Sequence, residues 1–236
     1  MFPNIDLRPA YERAQKLFPN SIISRQTLRI EEALNPMQSQ YKFQTKQGNS
    51  STDGPLENLL TDTDAFVLIG AALGVKKQDT STTPPRYGNY QIFYFPDTDV
   101  FVGAPASQAT EAQSLMTIYN GKLSFSTGSL QRIRETDTQD FLMVSQDRST
   151  NDAYQVKGGF YIPYVAFQPT ILIDGAQNNE FQLTLGSGDI TGIDGSYTSG
   201  GAHSATSRNI LVLTLIGLNI ANGSAAAKQL VNSWGY

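Results

Sequence analysis

The side chains that could carry acid–base or nucleophilic chemistry in this chain are mainly carboxylates. The 236 residues include 21 Asp and Glu, one histidine and no cysteine. Four acidic pairs have short spacing: Asp62/Asp64, Asp97/Asp99, Asp137/Asp140 and Asp189/Asp194. Two carboxylates about 5–10 Å apart could hydrolyse a glycosidic bond. Each pair lies in a predicted turn, however, where Asp is favoured because its side chain bonds to nearby backbone. Turn formation therefore explains these pairs better than glycoside hydrolysis.

The single histidine, His203, lies in the loop Gly186–Arg208, which is rich in Gly and Ser. A cupin-type metal site needs several imidazoles, so one histidine argues against that class. A Ser–His–Asp triad is equally disfavoured, because Ser187 is flanked by Gly186 and Gly188 in a loop and no GxSxG elbow is present. The sequence therefore predicts no catalytic residue and no enzyme.

Cofactor and metal motifs are absent as well. Asp62-Thr63-Asp64 and the stretch Asp189–Asp194 offer oxygen ligands for Ca²⁺, but neither matches an EF-hand loop. The glycines of the Gly186–Arg208 loop lack the lysine and following helix of a phosphate-binding loop. We therefore predict no cofactor-binding residue, no metal site and no small-molecule substrate, and leave open an ion bridging two subunits.

Two further features bear on the glycosidase alternative. Glu31 and Glu32 are adjacent in a predicted strand, so they should face opposite sides of a sheet. The only tryptophan, Trp234, lies near the end of the chain, whereas a sugar platform needs several aromatic side chains beside the acids. Both features weaken that alternative.

Composition favours a protein whose surfaces pack against other subunits. Charged residues make up 16% of the chain, against about 25% in an average soluble domain. Gln, Asn, Ser and Thr supply the polarity instead. The net charge of −4 and a pI near 5.0 argue against a general nucleic-acid footprint. The first residues lack a secretory signal pattern, and no apolar run reaches the roughly 20 residues of a membrane span.

The hydrophobic pattern predicts an all-β protein. Asn209–Ala221 is the longest run of Leu, Ile and Val, typical of a strand covered on both faces. Ala65–Val75 is a second apolar run, with Gly70 and Gly74 predicted at close approaches. In Glu180–Leu185 apolar and polar residues alternate, as in a half-buried strand. Similar alternation surrounds Leu28 and Ile30, Tyr41 and Phe43, and Leu123 and Phe125, while Pro163 places Phe160–Phe167 at an edge or a bulge.

About eight strands with long connections favour a jelly-roll (Greek-key) β-sandwich over an up-and-down barrel. Short helices are predicted at the N-terminus, at Ser107–Tyr119 and at Ala225–Val231. The resulting division is an N-terminal arm and helix (1–20), a sandwich (21–223) and a C-terminal helical tail (224–236). In the arm, Leu7, Tyr11, Ala14 and Phe18 form an apolar stripe. A helix this short must dock on its own sandwich, a neighbouring subunit or a membrane.

Two stretches resemble a known family. The first runs over Glu111–Val144 and contains EAQSLMTIYNGKLSFSTG and ETDTQDFLMV. The second runs over Pro169–Gly223 and contains PTILIDGAQNNEFQLTL and RNILVLTLIGLNIANG. Together they resemble jelly-roll coat (capsid) proteins of tailless icosahedral bacteriophages. The chain provides strands for one jelly roll, whereas many major coat proteins of this family hold two, so a major and a minor (vertex or spike) role both stay open.

The resemblance implies a structural capsid protein that self-assembles into an icosahedral shell, without catalysis. Its expected partners are other copies of itself and other virion proteins, and its expected location is the virion, after synthesis in the host cytoplasm. An arm carrying Arg8, Arg13 and Lys16 offers a contact to the genome or to anionic lipid. The alternatives are a carbohydrate-binding, lectin-like sandwich and, behind it, a glycoside hydrolase.

Overall fold

The computed structural model describes residues 7–34, 38–45, 58–79, 92, 94, 117–142, 164–186, 207–231 and 234. Over these residues the protein is mostly β-structure, with eight strands in two antiparallel four-stranded sheets and few helices. The prediction of an all-β sandwich is confirmed at this level.

The first sheet contains four long strands. They are β1 (Ile23–Ala33), β8 (Ser207–Ile220), β3 (Ala65–Asp79) and β6 (Val165–Asp174), in that order across the sheet. Strand β8 pairs along its whole length with β3 and from Ile210 to Ile220 with β1. The first and last strands of the sandwich are therefore neighbours.

The second sheet contains shorter strands. They are β2 (Gln40–Gln44), β7 (Asn179–Thr184), β4 (Lys122–Thr127) and β5 (Leu130–Asp137), again in spatial order. Burial alternates along β2, β4 and β7, as the period of two in the sequence predicts. Phe125 and Phe181 stack between β4 and β7, with ring centroids 4.2 Å apart. One face of this sheet thus lines the core.

Two hydrophobic clusters lie on opposite faces of the first sheet. The inner core between the two sheets contains residues such as Leu73, Leu213 and Phe181. The outer cluster lies on the other face and includes Val67, Leu218, Ile220 and Trp234, together with helical residues. Because β3 and β8 contribute to both clusters, their sequences read as continuous apolar runs.

Two helices contribute to the outer cluster: α1 (Arg8–Leu17) near the N-terminus and α2 (Ser224–Leu230) after β8. Pro9 lies in the first turn of α1, as expected. The buried row of α1 is Ala10, Ala14 and Phe18, whereas Tyr11, expected on that face, is 38% exposed. Two alanines one turn apart let the helix backbone approach the sheet closely, so the small residues define the docked face.

Other predicted elements differ in extent from the observed ones, because tertiary pairing extends or shortens them. The piece predicted after Pro169 and residues 165–167 of the piece predicted at Phe160–Phe167 belong to one edge strand, β6, in which the Gln168–Pro169 peptide bond is cis. Residues 160–163 lie outside the described residues. Of the predicted mid-chain helix, residues 107–116 lie outside the described residues. Thr117–Asn120 forms a 3₁₀ turn, and Thr138–Phe141 forms a second one.

The close approach with the clearest requirement for glycine lies at Gly217 in β8. A Cβ atom there would lie 2.0 Å from the carbonyl oxygen of Val67 and 2.7 Å from the ring of Phe66. Gly70, predicted as a close approach, adjoins the register shift between Leu68 and Gly70 where β3 pairs with β6 and β8. The two central strands therefore pack tightly because one of them lacks a side chain at the contact.

Candidate functional site

The acidic pairs inside the described residues take part in turns. Asp137 Oδ1 accepts the backbone N–H of Gln139 at 2.9 Å and so caps the second 3₁₀ turn, with Asp140 exposed beside it. Asp64 Oδ1 accepts the backbone N–H of Asn222 at 3.0 Å. Asp62 is exposed on the same turn as Asp64. Backbone hydrogen bonding is thus the observed role of Asp64 and Asp137.

The remaining chemical candidates lie outside the described residues. They are His203, Ser187, Asp97, Asp99, Asp189 and Asp194. Among the residues that the structure describes, no group of three or more His, Cys, Asp or Glu side chains is placed to hold a metal ion.

Asp64 and Asp174 hold the turn between β8 and α2 from two sides. Asp64 Oδ2 accepts the side-chain amide of Asn219 at 3.2 Å, and its Oδ1 accepts Asn222 N–H. Asp174 Oδ1 accepts the Ala176 N–H at 3.0 Å and the hydroxyl of Ser224. The backbone N–H of Ser224 donates to the Thr63 carbonyl at 3.0 Å. Chain segments far apart in sequence thus meet at the start of the C-terminal helix.

The pKa of Asp64 reflects this turn. Burial alone would raise the pKa, but hydrogen bonds from Asn222, Asn219, Thr61 and Thr63 outweigh it and lower the pKa below 3.8. Donors directed at the charged form stabilise that form. Asp64 therefore acts as a charged acceptor at neutral pH.

A buried ion pair lies on the outer face of the first sheet. Lys76 in β3 is fully buried and its Nζ contacts Glu31 Oε2 from β1, across the intervening strand β8. Arg29 Nε donates to the other oxygen of Glu31 at 2.7 Å. A buried charge requires a partner of this kind. No local sequence pattern predicts this pair, because 45 positions separate its members. The sequence indicates only that a lysine lies near the end of an apolar strand.

Tyrosines with raised pKa values lie near the same face. Burial raises the pKa of Tyr164 to about 12, with a smaller contribution from the neighbouring Tyr94. Burial also raises the pKa of Tyr94, against weaker lowering effects of Thr214 and Arg29. Both phenols are therefore neutral at physiological pH and act as hydrogen-bonding groups.

Trp234 is part of the packed outer cluster. Only 2% of the residue is exposed. Its indole Nε1–H donates to Thr170 Oγ1 at 3.1 Å, and the guanidinium carbon of Arg13 lies 4.8 Å from the ring centroid. A buried indole covered by a cation is not placed to stack on a sugar ring. The tryptophan instead joins α1, β6 and the C-terminus.

The outer face of the second sheet is polar. Lys42 pairs with Glu180 at 3.0 Å and Lys122 pairs with Glu135 at 2.7 Å. Both lysine side chains are more than half exposed. Ser124 lies between these pairs and is half-buried. The two sheets therefore differ, since helices cover part of the first one and the described face of the second carries charged and hydroxyl groups.

Three edge strands each have a feature that interrupts strand addition at one position. At the edge strand β1, Arg29 and Asn58 exchange two backbone hydrogen bonds of 3.0 Å. At β5, the side-chain amide of Gln131 donates to the Arg134 carbonyl at 3.0 Å. At β6, Pro169 lacks an N–H altogether. Blocked edges of this kind prevent uncontrolled pairing between sheets.

No described helix is both long and apolar enough to cross a membrane. Neither the scan against protein-family models nor the search of curated proteins finds a match for the chain.

Proposed function

We propose that the protein is a structural coat protein of the tailless icosahedral bacteriophage type, a jelly roll that self-assembles into a shell. One observation carries the proposal, namely the pairing of the strands. β1 pairs with β8, β2 with β7, β3 with β6 and β4 with β5. A jelly roll is an antiparallel ribbon of this kind, first strand against last, rolled into two sheets.

The placement of polar and apolar surface supports a structural role over a carbohydrate-binding one. Jelly rolls occur in capsid and lectin domains alike. The buried Trp234 and the charged outer face of the second sheet offer no described aromatic platform for a sugar. The edges interrupted at Asn58 and Gln131 fit a subunit that associates through faces, loops and termini.

Within this proposal the partners are further copies of the chain and other virion proteins, and the location is the virion after synthesis in the host cytoplasm. The loop Gly186–Arg208 and the N-terminal arm supply contacts between subunits. Arg8 and Lys16 are exposed on α1, where they can meet genome phosphate or anionic lipid.

Electron microscopy and sedimentation of the purified chain test the proposal. Closed, symmetric particles or oligomers are expected. A species that stays monomeric at high concentration over a range of salt conditions would count against it. Binding to a glycan array, combined with a monomeric state, would favour the lectin-like alternative.

A further inference from the structure

The last part of the chain is attached to the sandwich at a small number of polar points. We call residues 221–231 together with Trp234 the C-terminal strap. Its turn is held by Asp64, which accepts Asn222 N–H at 3.0 Å, and by Asp174, which accepts the Ser224 hydroxyl. At its far end, Arg132 of β5 donates to the Val231 carbonyl at 2.8 Å and so satisfies the C-terminus of α2.

The strap has little structure of its own to keep it in place. Helix α2 has seven residues, and a helix of that length is not stable in water without packing. Its packing consists of Ala227, Trp234 and a few half-buried side chains in the outer cluster. The strap is therefore the kind of segment that opens locally before a sheet does.

The charged groups around the turn are few. Asp62 is exposed on the same turn as Asp64, and Lys228 is exposed on α2. Arg13 of α1 covers the indole of Trp234, and Arg132 contacts the opposite end of α2. Among the described residues no ion pair involves Asp64 or Asp174, and Asp174 Oδ2 is buried without a hydrogen-bond partner. The carboxylates thus hold the turn as hydrogen-bond acceptors and not through a cation.

We propose that this turn is a pH-sensitive clasp, which holds the strap while Asp64 is charged and releases it when Asp64 is protonated in acid, while the two sheets stay folded. A protonated carboxyl group is a weaker acceptor and presents an O–H to donors that already point at it. Loss of the Asp64 bonds weakens the attachment of the turn. The contacts of Ser224 with Asp174 and Thr63, the Arg132–Val231 bond and the packing of Trp234 then hold the strap.

The pH range follows from Asp64. In the folded protein the pKa of Asp64 lies below its ordinary value of 3.8. A lowered folded-state pKa stabilises the folded arrangement fully above the unfolded value, and this contribution disappears as the pH falls through the folded value. Release is therefore expected only below pH 3.8, as the pH falls through the lowered pKa of Asp64 in the folded protein.

The single tryptophan provides the measurement. Quenching of Trp234 fluorescence by acrylamide, an uncharged quencher, is followed together with far-UV circular dichroism of the full chain from about pH 7 to about pH 2. The quenching constant should rise severalfold while the strand signal is unchanged. If both signals change together at every pH, the strap is not a separate unit and the proposal is wrong.

Two variants assign the effect to the clasp. Asp64→Asn replaces one acceptor oxygen by an NH₂ group facing existing donors, so quenching should already be high at neutral pH. Asp137→Asn is the matched control, because Asp137 also accepts a backbone N–H, that of Gln139. The quenching of Trp234 in this variant should depend on pH as it does in the wild type. Equal curves for Asp64→Asn and the wild type would overturn the proposal.

If Asp64→Asn does not fold, amide hydrogen exchange of the wild type decides the question. With intrinsic rates corrected for pH, α2 should lose protection in acid while β8 keeps it. Simultaneous loss in α2 and β8 would contradict the clasp.

Discussion

Lys76 is a charged residue in a mostly apolar strand, and its ion pair with Glu31 has a structural role. Its side chain is fully buried and that of Glu31 is 5% exposed. Taking two charges out of water is costly, and their attraction compensates only while both are present. The pair joins β1 to β3 across the intervening strand, so it favours the observed order of strands in the first sheet.

Glu31→Gln should therefore destabilise the protein by about 3–5 kcal/mol, because it removes the charge opposite a buried ammonium. Urea unfolding followed by circular dichroism measures the change. Glu135→Gln is the control, since the Lys122–Glu135 pair is exposed and its loss should change stability little. Equal effects of the two substitutions would show that Lys76 is solvated in solution.

Gly217→Ala should also destabilise the protein, by about 1–3 kcal/mol or more, because the new Cβ would overlap the Val67 carbonyl and force β8 away from β3. Gly128→Ala is the comparison. Gly128 has φ +56°, and a Cβ atom there would meet Gln177 Oε1 at 3.6 Å, an ordinary contact. Its substitution should therefore cost only about 1 kcal/mol, from backbone conformation. The urea midpoints of the two variants test the order, and a smaller effect at Gly217 would contradict it.

At the scale of elements, the sequence predicts the buried faces of three strands and most of the docked face of α1. Strands β2, β4 and β7 follow the alternation in the sequence because one face of each meets the core. On α1 the predicted stripe is buried at Ala14 and Phe18, whereas Tyr11 is 38% exposed and Ala10, outside the stripe, is buried. Close approach to a sheet selects small side chains, and hydrophobicity alone does not indicate which side is near a neighbour.

Phe18→Ala should thus destabilise the protein by about 3–5 kcal/mol, because Phe18 is buried in the outer cluster. Tyr11→Ala should cost clearly less, although both residues belong to the predicted stripe, since Tyr11 is partly exposed. Thermal unfolding followed by far-UV circular dichroism compares the two variants. A larger effect for Tyr11 would place α1 on a different face than the structure does.

At the scale of the whole molecule, the first strand of the sandwich pairs with the last. Strand β8 also lies between β1 and β3, so the first sheet is incomplete until β8 has joined it. Folds with pairings this distant in sequence form slowly, because a long loop must close before the contacts compensate for it.

Truncation tests this dependence. A chain ending at residue 206 lacks β8 and should not fold, whereas a chain ending at residue 223 lacks α2 and Trp234 but keeps all eight strands and should retain its β-sheet signal. Circular dichroism and size-exclusion chromatography separate the two outcomes. A folded chain without β8 would mean that the remaining three strands of the first sheet pair with one another in another order.

The amino-acid sequence by itself determined the class of the protein and the faces of most strands. Apolar runs such as Asn209–Ala221 and alternation such as that around Tyr41 and Phe43 report burial directly, since burial follows local periodicity. Only the tertiary structure decided which strands are neighbours, that Glu31 meets Lys76, and that Asp64 and Asp174 meet at one turn. Contacts between residues distant in the chain depend on how the sheets assemble, and no local pattern of residues encodes that.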